Sequence, residues 1–154
     1  MYLLDTNVVS ELRKVGAGKA DANVMHWARS FKPEVLYLSV ITILELEMGI
    51  LSLERRDQQQ GALLRQWLEN QVLPSFEGRV LPIDIPVARK CAALHVPDKR
   101  AERDAMIAAT AIIYRLKVVT RNVADFDQNL VNVINPWQPI TSDKKLVRWR
   151  SVVV

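Results

Sequence analysis

Short apolar runs alternate with longer amphipathic stretches along most of the chain, which predicts strands that alternate with helices. The runs predicted as strands are rich in Val, Ile, Leu and Tyr, which favour strands. They cover residues 2–4, 35–39, 79–83, 116–120 and 131–134. This alternation is typical of a parallel sheet covered by helices. We therefore expect an α/β protein, a three-layer α/β/α domain with a central parallel sheet of four to five strands.

The stretches between the runs repeat apolar residues at three- and four-residue spacing, which predicts helices. These lie after Asn7 and over residues 21–31, 40–52, 86–95 and 104–115. Residues 53–72 read as one long polar-faced helix or as one arm of a helical hairpin.

The helix predicted over residues 40–52 has two further features. One apolar stripe joins residues at helical spacing: Ile41, Leu44, Met48 and Leu51. Gly49 lies inside the helix, where glycine costs roughly 1 kcal/mol relative to alanine. We interpret Gly49 as a sign of close packing at that point.

The first predicted strand ends at Asp5, and Thr6 and Asn7 precede the first helix. Ligands of open α/β sheets bind beyond the carboxyl ends of the strands, which makes Asp5 a candidate site residue. Asp is also a good helix N-cap, so the carboxylate could instead serve only to start the helix. Asp5 alone leaves both interpretations open.

Three later acids fall at comparable places in the predicted fold. Glu45 lies in the helix after the second strand, Asp104 begins the helix before the fourth strand, and Asp125 follows that strand. Carboxylates that share one site repel each other and need a cation nearby. Oxygen ligands suit Mg²⁺ or Mn²⁺. The pattern therefore predicts convergence of Asp5 with these acids around a divalent cation.

Composition narrows the class of protein without defining it. The 154 residues fit one domain, and 21 basic against 17 acidic residues give a net charge of +4 that permits a polyanionic partner. No stretch has the length of a membrane span or the pattern of a signal peptide, and Cys91 is the single cysteine. We therefore expect a cytoplasmic protein without a membrane partner.

Other kinds of site lack their residues. The chain has no Cys/His cluster for zinc, no glycine-rich phosphate loop and no nucleophile elbow. Cys91 is expected to be a small core residue, and His95 to cap the end of its helix.

Four segments, taken together and in order, resemble PIN-domain ribonucleases, and more narrowly the VapC/FitB toxins of type II toxin–antitoxin modules. The resemblance runs from Met1 to about Trp137, and any one of its motifs would be weak alone. The motifs occupy residues 3–8, 45–50, 104–111 and 120–126.

The resemblance implies a Mg²⁺-dependent endoribonuclease, with Mn²⁺ as an alternative metal. It also implies an RNA substrate, a homodimer, and a small antitoxin whose C-terminal segment occupies the groove. Higher-order complexes would form with that antitoxin, and operator DNA would be bound only through it. By motif matching, the catalytic and metal-binding residues are Asp5, Glu45, Asp104 and Asp125. The supporting polar residues are Thr6, Asn7, Thr120 and Asn122, and Asp127 is a less favoured acid near the set.

The implied mechanism is attack by a metal-activated water, which leaves a 5′-phosphate and a 3′-hydroxyl. Three basic residues near the site could hold the RNA backbone or could pair with acidic neighbours: Arg100, Arg103 and Arg121. Two other classes remain open, a metal-dependent DNA nuclease and a non-catalytic interaction module whose acids form a structural cation site or a protein-binding face.

The C-terminal segment departs from the family pattern, which usually ends near residues 135–137. We divide the chain into a PIN domain over residues 1–138 and an extension over residues 139–154. The extension is basic and could be disordered, contact a partner or contact RNA. Its charged and aromatic residues are Lys144, Lys145, Arg148, Trp149 and Arg150.

Overall fold

The computed structural model describes residues 1–139, and its centre is a five-stranded sheet in which every neighbouring pair is parallel. The strands lie in the order β3-β2-β1-β4-β5. Their bounds are β1 Tyr2–Leu4, β2 Leu36–Ser39, β3 Val80–Leu81, β4 Lys117–Val119 and β5 Val133–Ile134. The predicted fold class is confirmed, and the N-terminal strand occupies the middle of the sheet.

Helices cover both faces of this sheet. They are α1 Thr6–Arg13, α2 Ala22–Arg29, α3 Val40–Arg56, α4 Gln58–Trp67, α5 Leu73–Ser75, α6 Ile85–Leu94 and α7 Glu102–Tyr114. A π-helical turn, Leu68–Val72, joins α4 to α5, and 3-10 turns occupy Lys14–Ala17, Pro33–Val35 and Val123–Asp125. Among residues 1–139, no helix is both long and apolar enough to cross a membrane.

Side-chain alternation along the strands divides the core into two layers. Tyr2 and Leu4 of β1 pack on one face with Trp27 of α2, whereas Leu3 packs on the other with Ile107 of α7. Successive strand residues point to opposite faces, so a strand buried on both sides reads as a continuous apolar run. This is why the short N-terminal strand is a continuous apolar run.

Residues 53–72 are divided between two helices and the π-helical turn that follows them. Helix α3 continues to Arg56, and Asp57 then adopts an extended conformation and caps α4 through a bond from the Gln60 N–H to Oδ1 (3.2 Å). The hairpin interpretation is therefore correct, with its turn at Asp57. Arg65 fastens the two arms, with N–O distances of 2.7 Å to both Glu47 and Glu54.

The prediction of close packing at Gly49 was wrong, and the close approach lies at Gly61. A Cβ at Gly49 would meet nothing within 4 Å, whereas a Cβ at Gly61 would lie 2.5 Å from the Cα of Glu54. Gly61 thus lets the backbones of α3 and α4 approach, which a larger residue would prevent.

Most of the apolar stripe predicted on α3 lies on the surface and not in the core. Helix α3 buries Ile41, Thr42, Leu46 and Ile50, whereas Leu44, Met48 and Leu51 are 46%, 51% and 56% exposed. The stripe is therefore a surface feature of the described part of the chain, apart from Ile41.

Candidate active site

The register of β1 and β4 places Asp5, the first predicted site residue, beside Thr120. Leu4 of β1 pairs with Val119 of β4, so Asp5 and Thr120 follow side by side at the carboxyl edge of the sheet. The Thr120 hydroxyl donates to Oδ2 of Asp5 at 2.8 Å. Thr120 is fully buried and Asp5 is 7% exposed, which makes this bond a fixed element of the site.

The structure shows Asp5 as the N-cap of α1 and leaves one of its oxygens turned toward other polar groups. Its Oδ1 accepts from the Thr6 N–H at 2.8 Å and so begins α1, as an N-cap does. Its Oδ2 accepts from Thr120 and, at 3.3 Å, from the Asn7 amide. The cap fixes the carboxylate at the sheet edge, where it also faces the other acids.

Glu45 approaches from α3 and is held by Thr6. The Thr6 hydroxyl donates to Oε1 of Glu45 at 2.8 Å and lies 3.3 Å from the hydroxyl of Thr42. Thr42 is fully buried and was not among the predicted site residues. A hydroxyl three residues before Glu45, one helical turn away, was the only sequence signal for it.

Asp104 and Asp125 complete the set from the opposite side. Asp104 stands in the first turn of α7, two residues after the helix begins, and Asp125 ends the 3-10 turn after β4. Both line a small cleft with an apolar floor beneath α7. Asp104 is half-buried, and Asp125 is exposed.

The carboxylates affect one another's charge. Burial raises the pKa of Asp5, and the charges of Glu45 and Asp125 raise it further, against the lowering effect of its hydrogen bonds. Burial also raises the pKa of Asp104, and Asp125, Asp5 and Glu45 add to that rise. Asp5 and Asp104 therefore each lie within electrostatic range of the other three predicted acids.

The supporting residues form a short network around Asp5. Asn7 donates to the Thr120 hydroxyl at 3.2 Å, and its own Oδ1 accepts from the Arg121 N–H at 3.2 Å. Asn122 contributes its backbone N–H, which donates to Thr120 at 3.0 Å. The network fixes Thr120 and Asn7, and through them Asp5.

Asp127 differs from these four acids. Its carboxylate pairs with Arg100 at 3.4 Å and accepts from the Asn129 N–H at 3.0 Å. It lines the same cleft as Asp104 and Asp125. Asp127 thus lies beside the set, and its carboxylate already has a cationic partner in Arg100.

Two residues of α6 outside the set have structural partners. His95 caps α6, as predicted, and its Nδ1 accepts from the Arg100 N–H at 3.0 Å. Cys91 is only half-buried, and its Sγ lies 3.9 Å from Nε2 of His95. Burial raises the pKa of the Cys91 thiol, which disfavours the nucleophilic thiolate.

The donor chemistry of the acid set fits a hard divalent cation. Its members offer only oxygen, and burial, together with the charges of neighbouring acids, raises the pKa of Asp5 and of Asp104. Within residues 1–139, however, no three His, Cys, Asp or Glu side chains are already arranged to hold an ion. The fit to a cation therefore rests on the oxygen chemistry of the set.

Comparison with known proteins agrees with this fold. Curated relatives include the VapC ribonuclease Y4jK of Sinorhizobium fredii, 37% identical over 144 residues, which cover 90% of this chain and 99% of the relative. Toxin FitB of Neisseria gonorrhoeae is 39% identical over 142 residues, which cover 89% of this chain and 99% of the toxin.

Solved structures superpose on the same region. FitAB bound to an IR36 DNA fragment matches with a TM-score of 0.80 and 35% identity, covering 93% of this chain and all of that one. A toxin–antitoxin complex from Klebsiella pneumoniae matches with a TM-score of 0.60 and 26% identity, covering 91% and 100%. The PIN domain family model matches residues 2–129, and the chain therefore belongs to the PIN domain family.

Proposed function

We propose that the protein is an endoribonuclease that cleaves RNA phosphodiester bonds at the four-acid set. The observation that carries this proposal is the electrostatic coupling of four carboxylates from four separate elements at the carboxyl edge of the sheet. Membership of a family with a curated VapC ribonuclease supports RNA as the substrate.

Asp5, Glu45, Asp104 and Asp125 would hold Mg²⁺, or Mn²⁺ in its place. When bound, such a cation neutralises phosphodiester charge and lowers the pKa of a water that attacks phosphorus. Asp5 would be a rigid metal ligand because three neighbouring groups donate hydrogen bonds to its carboxylate. The Thr6 hydroxyl orients the carboxylate of Glu45. Because Asp104 is half-buried and Asp125 is exposed, a substrate can reach the set from that side.

One assay separates this proposal from the two other classes. Purified protein is incubated with single-stranded RNA and with DNA, in Mg²⁺ and in EDTA. We expect cleavage of RNA in Mg²⁺, with 5′-phosphate and 3′-hydroxyl ends, and none in EDTA, because the acids alone cannot neutralise the phosphodiester. Cleavage of DNA alone would indicate the DNA nuclease. Undiminished RNA cleavage in EDTA would contradict the metal-dependent mechanism, and no cleavage of either polymer would favour the non-catalytic module.

We propose that the protein acts in the cytoplasm as the toxin of a type II module, with a small antitoxin as its partner. The relatives named a toxin and a toxin–antitoxin complex support this role. The FitAB complex described as bound to a DNA fragment supports contact of such an assembly with DNA, and we propose that this contact is with operator DNA and runs through the antitoxin. On this proposal, inhibition takes place at the acid set.

We propose a homodimer built on the exposed stripe of α3. Leu44, Met48 and Leu51 follow one another at helical spacing and are each about half exposed. Adjacent exposed apolar side chains often mark a protein interface. Pairing of two copies across α3 would bury this stripe and place the two acid sets on one assembly.

Charge on the stripe should therefore separate the copies. Leu51→Glu should convert the dimer to a monomer, because a carboxylate would be buried in the contact. Leu63→Glu is the matched control, since Leu63 is 59% exposed on α4 outside the stripe, as Leu51 is 56% exposed within it. Light scattering measures the mass of each variant, and an unchanged mass for the Leu51 variant would place the contact elsewhere.

A further inference from the structure

Two of the three arginines beside the acid set are engaged elsewhere. Arg100 pairs with Asp127 and donates through Nε to the Leu94 carbonyl at 2.9 Å. The Arg121 guanidinium lies over the Trp137 ring, 5.3 Å from its centroid. Both side chains therefore have partners outside the four acids.

Arg103 contacts the set itself. Its Nη1 lies 3.6 Å from Oε2 of Glu45 and 3.7 Å from Sδ of Met48. The Arg103 side chain is 48% exposed and that of Glu45 is 26% exposed. A charge-assisted hydrogen bond is usually about 2.7–2.9 Å long, so this is a loose ion pair. Exposed pairs of this kind contribute little stability and exchange partners readily.

Glu45 does not depend on Arg103 for its position. Its other oxygen, Oε1, accepts from the Thr6 hydroxyl at 2.8 Å. Arg103 also precedes Asp104 in the first turn of α7, and its charge lowers the pKa of Asp104 against the other influences. The guanidinium is thus a loosely held positive charge beside two acids, and Glu45 has a second anchor in Thr6.

We propose that Arg103 is an exchangeable counterion, which pairs with Glu45 in the free protein and moves to a backbone phosphate of bound RNA when the acids hold a divalent cation. This inference rests on the proposed ribonuclease function. Arg103 and the cation compete for the negative charge of Glu45, whereas RNA needs the guanidinium released. Cation binding and RNA binding are therefore coupled through Arg103, and each strengthens the other.

The first test uses Arg103→Gln with Lys99→Gln as its control. Lys99 lies four residues away, is 80% exposed and pairs with Glu102 at 3.9 Å, so both variants lose one charge of a loose pair. Calorimetric titration with Mn²⁺ alone should show tighter binding to the Arg103 variant. The expected gain is about two- to five-fold, the range for loss of an exposed ion pair. The Lys99 variant should change much less.

The second measurement uses a short fluorescein-labelled single-stranded oligoribonucleotide, with Ca²⁺ in place of Mg²⁺ and a gel to confirm that it stays intact. Arg103→Gln should weaken binding and lower the slope of log affinity against log salt by about 0.7, the contribution of one phosphate contact on a single strand. A merely structural arginine would leave this slope unchanged.

Glu45→Gln supplies the converse test because it releases Arg103 without a cation. In EDTA this variant should bind the oligoribonucleotide more tightly than wild type. The gain should be largely lost in the Glu45→Gln, Arg103→Gln double variant, because the released guanidinium is then absent.

The outcomes separate the inference from the function on which it rests. If Arg103→Gln and Lys99→Gln agree in Mn²⁺ affinity and in salt slope while wild type binds and cleaves RNA, Arg103 is not the counterion. If wild type neither binds nor cleaves RNA, the proposed function fails and the RNA-binding role of Arg103 fails with it.

Discussion

Asp104→Asn should reduce RNA cleavage by at least about 100-fold while leaving the protein folded. Removing one group that stabilises charge in a transition state costs about 10²–10³ in kcat, and a ligand of the cation belongs to that class. Asn has the shape of Asp, and among the described residues no hydrogen bond to the Asp104 carboxylate is lost. Initial rates on labelled RNA provide the measurement.

Asp127→Asn is the matched control for this loss. Asp127 lines the same cleft but pairs with Arg100, so its variant should retain most of the activity. If the Asp127 variant is as inactive as the Asp104 variant, the choice of Asp125 over Asp127 as the fourth acid of the set is wrong. If Asp104→Asn cleaves at nearly the wild-type rate, Asp104 is not part of the site.

The same variant has a pH-dependent effect on stability. Burial and then the charges of Asp125, Asp5 and Glu45 raise the folded-state pKa of Asp104 above its ordinary value of 3.8. A raised carboxyl pKa favours folding below the unfolded value, and that contribution is lost as the pH rises through the folded pKa. Without divalent cations at pH 7, Asp104→Asn should therefore melt at the wild-type temperature or up to about 3 °C above it.

The difference in melting temperature between Asp104→Asn and wild type should shrink as the pH falls toward the ordinary carboxyl pKa, where wild-type Asp104 becomes protonated. A melting temperature for Asp104→Asn that stays below wild type across this range would contradict the repulsion argument.

Asp5→Asn should abolish activity as well, but two opposing effects act on the stability of this variant. The substitution relieves repulsion, yet it places an amide NH₂ where Oδ2 accepts from Thr120 and Asn7.

Expression of the protein alone should arrest bacterial growth, and Asp5→Asn should relieve the arrest. An active ribonuclease without its inhibitor degrades the RNA of its own cell. Co-expression with the antitoxin should restore growth. Growth curves of the three strains, with protein levels checked by immunoblot, provide the measurement, and arrest by the Asp5 variant would assign toxicity to something other than the acid set.

Inhibition by the antitoxin should depend on one basic residue of its C-terminal segment. A guanidinium pairs bidentately with carboxylates, so it can occupy the acid set, displace the cation and exclude RNA. Replacing that residue by Ala should weaken inhibition by a factor of about 10 or more, as truncation of a buried charge pair does. If both antitoxins inhibit equally at matched occupancy, steric blocking of the groove is the better account.

The sequence predicted the structure best where the residue type allowed only one environment, either fully buried or at the edge of the sheet. The apolar run at residues 2–4 required burial on both sides, and a polar residue after such a run had to lie at the sheet edge. Asp5 could therefore be placed correctly from its neighbours alone. The alternation of strands and helices then brought Asp104 and Asp125 to the same edge.

Surface and long-range features could not be predicted in this way. Helical spacing places Leu44, Met48 and Leu51 on one face but does not say whether that face meets the sheet or solvent. Gly61 is needed because Glu54 of the preceding helix approaches it, and that approach depends on the hairpin turn at Asp57. Periodicity within one helix holds no information about a neighbouring backbone.

The central position of β1 bears on how the protein is made. The ribosome synthesises β1 first, but the strand that orients Asp5 from the far side is β4, and the Thr120 bond to Asp5 spans 115 positions of sequence. A nascent chain that has not yet emerged beyond β4 lacks both that bond and Asp125. The four acids can therefore come together only when synthesis of this domain is nearly finished, so shorter nascent chains expose Asp5 and Glu45 without the rest of the set.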